Sequence, residues 1–367
     1  VNATATALAT AWNASTIPEF AEVTASAATD TVTLTGDTAG KPFVTTSSVS
    51  GGTGTIGAVA TGTAASGPNF ISVATNWSTG AVPVGADDVI FDQGSVDALH
   101  GLDQSAVTWN SLTRMPTYTG RIGLPEVNAD ATSTYYEYRD TYLKVGATTV
   151  TDYGGSGRFK LNTGTVQTAL IVKGNGARLE TNVPALIWKG THASSTLACL
   201  KGDVGVAFYG GESATLLTVT VGYLLSPVND SRVVLGSGTT LTSATIAQTG
   251  GTLEINSAST GTTTLYGGIL TVAAGAQSQL TLYGGECRYN STGTLGGSTV
   301  IADTALLTFD QDNRAKTITN QLELFGTTAR ISDRNRVVTN PVVDLNQGAK
   351  SSQVEWGPNV RLTRALL

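Results

Sequence analysis

The sequence predicts a mainly β protein, a parallel β-helix (solenoid) preceded by a small N-terminal α+β domain. Three observations in the C-terminal half predict it: a recurring apolar–polar–apolar triplet, a second apolar series in step with it, and a turn between the two. Self-similarity at such a period is typical of a solenoid, in which each repeat is one supersecondary unit. A leucine-rich repeat has a similar period, but the sequence shows neither its Asn/Cys ladder nor its helical segment.

The triplets define the predicted coils. Because side chains alternate along a strand, the first and third residues of a triplet point inward and the middle residue points outward. Successive triplets start 17, 17, 20 and 22 residues apart. They are Leu253-Glu254-Ile255, Leu270-Thr271-Val272, Cys287-Arg288-Tyr289, Leu307-Thr308-Phe309 and Ala329-Arg330-Ile331.

The second series supplies another wall of the predicted core. Its members are Ala244/Ile246, Thr263/Leu265, Leu280/Leu282, Thr299/Ile301 and Leu322/Leu324. One coil cannot bury its apolar face alone, but stacked coils can, each strand pairing in parallel with its counterpart about 4.8 Å away. We therefore expect one inward column to run Ile246–Leu265–Leu282–Ile301–Leu324. The predicted core is Ile246, Leu253, Ile255, Leu265, Leu270, Val272, Leu282, Ile301, Leu307, Phe309, Leu324 and Ile331.

We divide the chain into four parts. They are a small α+β docking domain (1–66), a β-rich connector and cap (67–139), the parallel β-helix (140–345) and a C-terminal cap or tail (346–367). The triplets continue less clearly upstream, through Val233-Val234-Leu235 and Leu217-Thr218-Val219, so we expect the β-helix to begin near residue 140. At about 18 residues per coil this makes roughly 11 coils stacked about 4.8 Å apart.

Residues 1–66 differ in texture from the rest. Ala5 to Asn13 predicts a short helix that ends before a turn at Pro18. Alternating runs over 20–25 and 31–35 predict two strands, and a further strand is expected after Phe43. A unit of about 60 residues is marginal alone, so it should lean on the rod, on a partner chain or on strands upstream of Val1.

The segments around the repeat are candidates for caps. Residues 47–68 have the Gly/Ser/Thr/Ala composition of a linker. An open solenoid end exposes backbone edges and core, so it needs covering. We expect the region of Trp77, Val89 and Phe91 to cap the N-terminal end, and Trp356 with Pro358 to close the other.

Composition excludes several classes of function. Charged residues make up only 13% of the chain, the net charge is −6, and no Lys/Arg cluster occurs, so a nucleic-acid partner is not expected. No apolar run approaches the ~20 residues of a membrane helix. The scarcity of helix formers and the 43 glycines favour a β-rich protein with tight corners over a helical enzyme.

Motifs for catalysis, metals and cofactors are missing from the sequence. The two histidines, His100 and His192, have no second histidine at ligand spacing, and no HExxH, CxxC pair, EF-hand loop, GxSxG or Walker A occurs. Cys287 stands at an inward triplet position, where we expect a free buried thiol, and Cys199 lies far from it. We therefore expect no cofactor, no metal and no catalytic residue.

Two acidic groups need separate consideration, because polysaccharide-cleaving enzymes use paired carboxylates. Asp303, Asp310 and Asp312 cluster near one predicted corner, where a solvated turn is the simpler interpretation. A second group, Asp87, Asp88 and Asp92, lies in the predicted N-terminal cap. Turn-forming hydrogen bonds explain that group, and a cation site is the alternative.

Aromatic residues recur at one predicted corner. Tyr266 and Tyr283 stand one coil apart, and Tyr209 has a similar Gly-Gly setting. Such a surface ladder is more often a corner stack or a subunit contact than a sugar-binding site.

Several stretches resemble the structural proteins of tailed-phage and planctomycete prophage particles. They are AWNASTIPEFAEVTASAATDTVTLTGDTAGKPF, NWSTGAVPVGADDVIFD, the span from GRFKLNTG to GGESATL, and the closing LTRALL. The resemblance covers most of the chain and includes no catalytic signature. It implies a component of a virion.

We expect a non-enzymatic structural protein on the surface of a bacteriophage particle, in the first place a capsid decoration or cement protein. Its expected partners are the phage major capsid protein or other virion proteins and further copies of itself, as a homotrimer, because rods commonly close with cyclic symmetry. Two alternatives stay open. One is a tail-fibre or tailspike component that binds or cleaves host surface polysaccharide, and the other is a bacterial surface β-helix adhesin.

Overall fold

The computed structural model describes residues 2–51, 57–129, 134–176, 181–223, 230–339, 341–356 and 360–364. The chain divides into two compact units. The first comprises Val1–Val82, Val96–Asp103 and Arg121–Leu143, and the second comprises Pro83–Ser95, Gln104–Gly120 and Lys144–Leu367.

The described residues are mainly β. Helix α1 spans Asn2–Asn13, and short 3-10 helices span Pro18–Glu22, Ala74–Asn76 and Ser351–Gln353. The strands are β1 (Val23–Ala28), β2 (Thr31–Gly36), β3 (Asp88–Phe91), β4 (Asp103–Arg114), β5 (Val127–Ala129), β6 (Thr134–Tyr136), β7 (Leu143–Tyr153), β8 (Phe159–Asn162), β9 (Ala169–Gly174), β10 (Leu186–Lys189), β11 (Thr196–Cys199), β12 (Gly202–Val206), β13 (Ala214–Thr215), β14 (Thr218–Val221), β15 (Ser231–Leu235), β16 (Thr239–Thr240), β17 (Thr245–Gln248), β18 (Thr252–Ile255), β19 (Ser259–Leu265), β20 (Ile269–Val272), β21 (Gln277–Leu282), β22 (Glu286–Tyr289), β23 (Thr299–Ile301), β24 (Leu306–Thr308), β25 (Leu322–Phe325), β26 (Arg330–Ser332), β27 (Val342–Asn346), β28 (Val354–Glu355) and β29 (Arg361–Arg364).

The first unit contains the predicted helix and hairpin. Helix α1 packs on the antiparallel pair β1–β2. The Asn13 side chain fixes this arrangement, since its amide donates to the Ala25 carbonyl and accepts from the Ala25 N–H, both at 2.8 Å. Trp12 donates from Nε1 to the Val23 carbonyl at 2.8 Å and stacks on Phe20 at 4.1 Å. The predicted α+β character of the N-terminal region is confirmed.

Two details of the N-terminal prediction are wrong. Helix α1 begins three residues before Ala5, and residues 20–22 belong to a 3-10 helix instead of a strand. The strand expected after Phe43 is not formed, since the described residues 42–51 have no regular structure. Proline has no N–H to donate to a ladder, and the carbonyl of Pro42 is occupied by the Arg139 side chain at 3.1 Å.

The second unit contains the predicted parallel solenoid, which runs from 88 to 363 in about 12 turns and is confirmed. Two long parallel ladders build it, and each coil contributes a strand to both. The first ladder stacks β8, β10, β12, β15, β18, β20, β22, β24, β26 and β28. The second ladder stacks β7, β9, β11, β14, β17, β19, β21, β23, β25, β27 and β29.

A third side of the coil is much thinner. It consists of the parallel pair β13–β16 and single bridges such as Leu241↔Ser259 and Gln277↔Leu295. The variable coil length is absorbed there, because a single bridge fixes little of the neighbouring chain.

The core lies between the ladders. In the first ladder, Leu253, Leu270, Cys287 and Leu307 follow one another in register, at the 17- and 20-residue spacings seen in the sequence. The twelve residues of the predicted core are each at most 1% exposed. Full burial of such side chains stabilises a fold by about 1.5–3 kcal/mol each.

The predicted register slips at two coils, in both cases by two residues. The register partner of Ile246 is Thr263, and the partner of Leu265 is Gln248 instead of Ile246. Leu307 pairs with Ile331, not with Ala329. A two-residue shift keeps the same face inward, so Ile246 and Ile331 are buried all the same.

The upstream triplet that begins at Leu217 is also displaced. Leu217 is 43% exposed, whereas Val219 and Val221 of β14 point inward and are buried. The apolar pair Leu216-Leu217 produces the error, because Leu216 is the buried member.

The solenoid extends beyond the predicted limits of 140 and 345. Parallel pairing is already present between β3 and β4, where Val89 opposes Leu112, and it continues to β29. Val89 and Phe91 are inward residues of β3 and not part of a separate cap. The early coils are hard to recognise in the sequence because segments of the first unit interrupt them.

The aromatic residues expected at the two caps have different surroundings. Trp77 lies in the first unit and donates to the Ile71 carbonyl at 2.8 Å. Near the other end, Trp356 meets the Phe309 ring edge-on at 5.7 Å. Pro358 lies outside the described residues.

An ion pair is buried inside the second unit. Arg114 binds Asp152 through two hydrogen bonds of 2.6 and 2.9 Å and donates to the Gly157 carbonyl at 3.1 Å. Both side chains are fully shielded from solvent, and the guanidinium lies 5.0 Å from the centre of the Phe159 ring. Burial raises the pKa of the Asp152 carboxyl, and the guanidinium opposes that rise.

Candidate functional site

The carboxylates that follow β24, Asp310 and Asp312, accept hydrogen bonds that hold neighbouring parts of the chain together. Asp310 accepts hydrogen bonds from the Ser332 hydroxyl at 2.5 Å and the Arg334 N–H at 2.6 Å. Asp312 accepts from Lys316 at 2.5 Å and from Arg314 at 2.8 Å. The hydrogen bond from Lys316 lowers the pKa of Asp312 to about 2, so this carboxylate is a poor proton donor.

The acids upstream hold neighbouring strands and turns together. Asp87 accepts from the Val84 N–H at 2.8 Å, and Asp92 accepts from the Thr117 hydroxyl. Hydrogen bonds from Ser111, at 2.6 Å, and from Asn110 lower the pKa of Asp88. These partners match the turn-forming interpretation of the three acids.

Sequence reasoning missed one pair of carboxylates, Asp310 and Glu355, which lie two coils apart on either side of Ser332. The Ser332 hydroxyl lies 2.5 Å from an Asp310 oxygen and 3.4 Å from a Glu355 oxygen. Arg334 binds Glu355 at 2.8 Å and approaches Asp310 at 3.9 Å. The Arg334 guanidinium lowers the pKa of Glu355, which favours the ionised form over a proton donor. The signal was hidden because Glu355 lies beyond the predicted end of the repeat.

The histidines and cysteines have structural surroundings. His100 packs on the Phe70 ring at 5.1 Å, and His192 accepts from the Ser194 N–H at 3.1 Å. Cys199 and Cys287 are free and buried, and burial raises the pKa of both thiols to about 12. Within the described ranges, no three His, Cys, Asp or Glu side chains are placed to hold a metal ion.

The first unit contains a dense polar cluster centred on Glu22, which we call the Glu22 cluster. Glu22 accepts from Lys41 and Tyr135, and its other oxygen accepts from Tyr138 at 3.2 Å and Arg139 at 3.4 Å. Burial opposes ionisation of Glu22, but these hydrogen bonds and charges outweigh it and lower the pKa. The carboxylate thus ties the 3-10 helix to two distant parts of the unit.

Arg139 extends the Glu22 cluster and balances its charge. Its guanidinium binds both oxygens of Glu137, at 2.7 and 2.8 Å, and Glu137 is 1% exposed at its side chain. Two carboxylates therefore face Arg139 and Lys41. This balance suits a structural connection better than a site for a charged ligand.

His100 lies in the same unit, and the charges of this cluster affect its pKa. Burial lowers its pKa to about 4, and the charge of Arg139 acts in the same direction. The imidazole is therefore neutral near pH 7.

Tyr266 and Tyr283 form a stacked pair on the surface of the second unit. Their ring centres are 5.4 Å apart with 16° between the planes, and the side chains are 52% and 39% exposed. Each residue directly follows a strand of the second ladder, so its ring projects to the same side as the outward residues of that strand.

Tyr209 does not belong to this pair. It follows β12 of the first ladder, and its ring lies 5.2 Å from the ammonium of the buried Lys160. Its N–H donates to Glu212 at 3.0 Å, and Glu212 also binds Lys189. The predicted three-residue ladder is thus wrong at Tyr209, because a shared Gly-Gly context does not place residues on the same ladder.

The segment around Tyr209 covers the first ladder. Phe208 packs against Gly205, where a Cβ atom would approach the phenyl side chain to 2.9 Å. Ile187 and Gly205, which point outward on adjacent strands of that ladder, are buried. The outer face of the first ladder is therefore closed by the chain itself at its early coils.

The outer face of the second ladder is open, and we call it the threonine face. It consists of uncharged outward residues of eight successive strands, β7 to β23, and none of these residues is buried. These residues are Thr149, Thr151, Ala169, Ile171, Thr196, Ala198, Thr218, Thr220, Thr245, Ala247, Thr262, Thr264, Gln279, Thr281 and Val300. The charged Lys173, near the end of β9, lies at its border, with its ammonium 4.5 Å from the centre of the Tyr153 ring.

Threonine suits this position for two reasons. Its β-branched side chain favours the pleated strand, and its hydroxyl both donates and accepts hydrogen bonds. The signal was present in the sequence as threonine at alternate positions, for example in Thr218-Val219-Thr220 and Thr262-Thr263-Thr264. The apolar residues between the threonines predict the core, and the same alternation does not show by itself which face the threonines form.

A row of exposed tyrosines borders the threonine face at the carboxyl ends of its strands. Tyr153 ends β7, Tyr223 follows β14, and Tyr266 and Tyr283 follow β19 and β21. Their exposed fractions lie between 39% and 52%. Tyrosine is enriched at protein interfaces because it combines a large apolar ring with a polar group.

Comparison with protein-family models, with curated proteins and with solved structures returned no match. Among the described residues, the structure contains no helix with the length and hydropathy needed to cross a bilayer.

Proposed function

We propose that this chain is a non-enzymatic structural protein of a bacteriophage particle, in the first place a decoration or cement protein of the capsid surface. In this role, copies of the rod pack beside one another, as a homotrimer, and the small N-terminal unit binds the major capsid protein or another virion protein. The resemblance of the sequence to phage and prophage structural proteins supports the assignment to a particle.

The threonine face is the observation that carries the structural role. A regularly repeating surface with few charges is suited to lateral contact with an equally regular neighbour. The two ladders behind it hydrogen-bond each strand to the coils on both sides, which suits a protein that persists outside a cell.

The hydrogen bonds of the acids also favour a structural role. Asp310 accepts hydrogen bonds from Ser332 and from the Arg334 N–H of the next coil, and Asp312 accepts from Lys316 and Arg314. A general acid needs a carboxyl that is protonated near the working pH, whereas the pKa of Asp312 and of Glu355 is lowered.

Labelling of particles tests this proposal. Antibodies raised against the purified chain, coupled to gold, are applied to particles induced from the host that encodes it. We expect regular labelling over the head. Labelling of the tail tip alone supports a tail component instead, and unlabelled particles, with the chain found on the bacterial surface, support the adhesin alternative.

A tailspike-like depolymerase is the second candidate, and the Asp310–Glu355 pairing favours it. The two carboxylates lie two coils apart and approach the Ser332 hydroxyl of the coil between them, and paired acids are what glycoside cleavage uses. The test is release of reducing ends from host surface polysaccharide by the pure chain. Activity that disappears in Glu355→Gln and persists in the control Glu323→Gln establishes the enzyme and removes the structural proposal.

A further inference from the structure

The threonine face differs from the outer face of the first ladder in how many charged residues it carries. The first ladder carries Glu254 and Arg288 at outward positions two coils apart, on either side of Thr271. In the second ladder, the outward positions that pair between strands carry no charge until Glu323 and Asp344 of its later strands, although Lys173 lies beside Tyr153 at the end of β9. A face so free of charge loses little hydration energy when it is covered.

We propose that the threonine face is the surface through which this chain contacts further copies of itself. The proposal rests on the proposed function, in which rods pack side by side, and it names the residues that make the contact. Copies place their threonine faces against one another with the tyrosine row at the border.

The regular strand spacing of the threonine face favours a partner surface with the same spacing. Strands lie about 4.8 Å apart, and eight of them make a face about 34 Å long. Only a surface with the same repeat stays in register along that whole length, and a second copy has it. A globular partner would meet the face over a few coils only.

The chemistry of threonine also favours self-contact. Each hydroxyl donates and accepts, so a column of threonines on one copy can satisfy the same column on another. Between the hydroxyls, the γ-methyl groups and Ala169, Ala198 and Ala247 provide shallow apolar contact. The net charge of −6 disfavours contact through surfaces that carry more of the acidic residues.

The size of the face sets the expected strength. With the tyrosine row it is about 13 Å wide, so it covers on the order of 450 Å² per copy, below the ~800 Å² of a standard interface. We therefore expect dissociation constants in the micromolar range or weaker. Attachment of many copies to one particle raises their local concentration, and this favours the contact between them.

Sedimentation velocity of the full chain between about 1 and 200 µM tests the proposal. The key variant is Thr264→Lys, on strand β19 of the face, and its matched control is Thr271→Lys, which adds the same charge at an outward position of the first ladder in the same coil. We expect the wild type and the control to associate on concentration, and Thr264→Lys to bind at least tenfold more weakly.

Tyr283→Ser provides a second variant at the border of the face, and far-UV circular dichroism with thermal melting shows that each variant is folded. A wild type that stays monomeric at 200 µM, or association unchanged in both Thr264→Lys and Tyr283→Ser, overturns the proposal. Particle labelling is independent of these measurements, so a monomer that still decorates heads removes the self-contact and the homotrimer, and leaves the assignment to the capsid surface standing. A dimer lost in Thr264→Lys supports the face and contradicts the trimer.

Discussion

Gln248 is the register partner of Leu265 on the adjacent strand, in one inward column of the second ladder. Its side chain is fully buried, and its amide nitrogen donates to the carbonyls of Gly250, Gly251 and Ile269 at 3.0 to 3.3 Å. An amide therefore occupies an aliphatic position, and it fixes the glycine turn between the two ladders.

Replacement of Gln248 by Glu should destabilise the solenoid by at least about 3 kcal/mol, because it removes the donors and places a carboxyl among carbonyl oxygens. The loss should increase as the pH rises and the carboxyl ionises. Urea denaturation followed by circular dichroism measures it. Gln279→Glu makes the same chemical change at an exposed position, and we expect it to shift stability by less than about 0.5 kcal/mol. Equal effects of the two variants would place Gln248 outside the core.

Leu282→Ala should lower the free energy of unfolding by about 2–5 kcal/mol, since it leaves a cavity in a fully buried column between Leu265 and Ile301. The neighbouring Thr281→Ala removes a side chain that points outward from the same strand, and its effect should stay below about 1 kcal/mol. Denaturant midpoints of the two variants are compared with the wild type. A larger effect at Thr281 than at Leu282 would reverse the inward and outward assignment.

Arg114→Met should cost about 3–5 kcal/mol, because it leaves the Asp152 carboxyl buried without its partner. The double variant Arg114→Met/Asp152→Leu removes both charges, and we expect it to recover most of that loss. Thermal melting of the two single variants and the double variant gives the coupling between the residues. Additive losses would show that the pair is not a coupled unit.

The first unit should lose stability on mild acidification through His100. Its pKa is lowered from 6.5 to about 4 in the folded protein. The stabilisation from a neutral imidazole is therefore complete above pH 6.5 and is lost as the pH falls toward 4, with a total on the order of 3 kcal/mol. Hydrogen exchange of peptides from 67–76 and 96–103, measured from pH 7 to pH 5, reports the change.

His100→Gln should flatten that pH dependence, and His192→Gln, in the second unit, should leave it unchanged. Glu22 adds a further loss at lower pH, because its pKa is also lowered and its ion pairs disappear when it is protonated. An unaltered pH profile in His100→Gln would assign the acid sensitivity to other groups.

The sequence was sufficient to predict the solenoid and its core because the inward columns are aliphatic over most coils. Leu253 and Leu270, for instance, are register partners at the spacing that the triplets predicted. The prediction slipped where a polar residue takes an inward place. Gln248 and Asp333 are both fully buried, and Asp333 accepts hydrogen bonds from two backbone N–H groups of the following turn, at Val337 and Val338. Hydrophobic pattern alone cannot identify such residues, since their burial depends on partners that only the folded turn provides.

The surface was harder to predict than the core. The stack of Tyr266 on Tyr283 followed from their one-coil separation, but Tyr209 needed knowledge of which ladder it joins. The threonine face depends on the register of eight strands, and an error at any coil would interleave it with inward residues. Glu355 was missed because the repeat continues past Trp356 to β29 after a change in coil length.

The short separation of register partners along the chain shapes how this protein reaches its native state. Leu270 and Cys287 are 17 residues apart, and Leu307 follows Cys287 after 20 more. Each coil therefore pairs with the segment that comes just before it in the chain, and the entropy cost of closing the intervening loop is small. We therefore expect the solenoid to fold by adding one coil at a time to coils that are already formed.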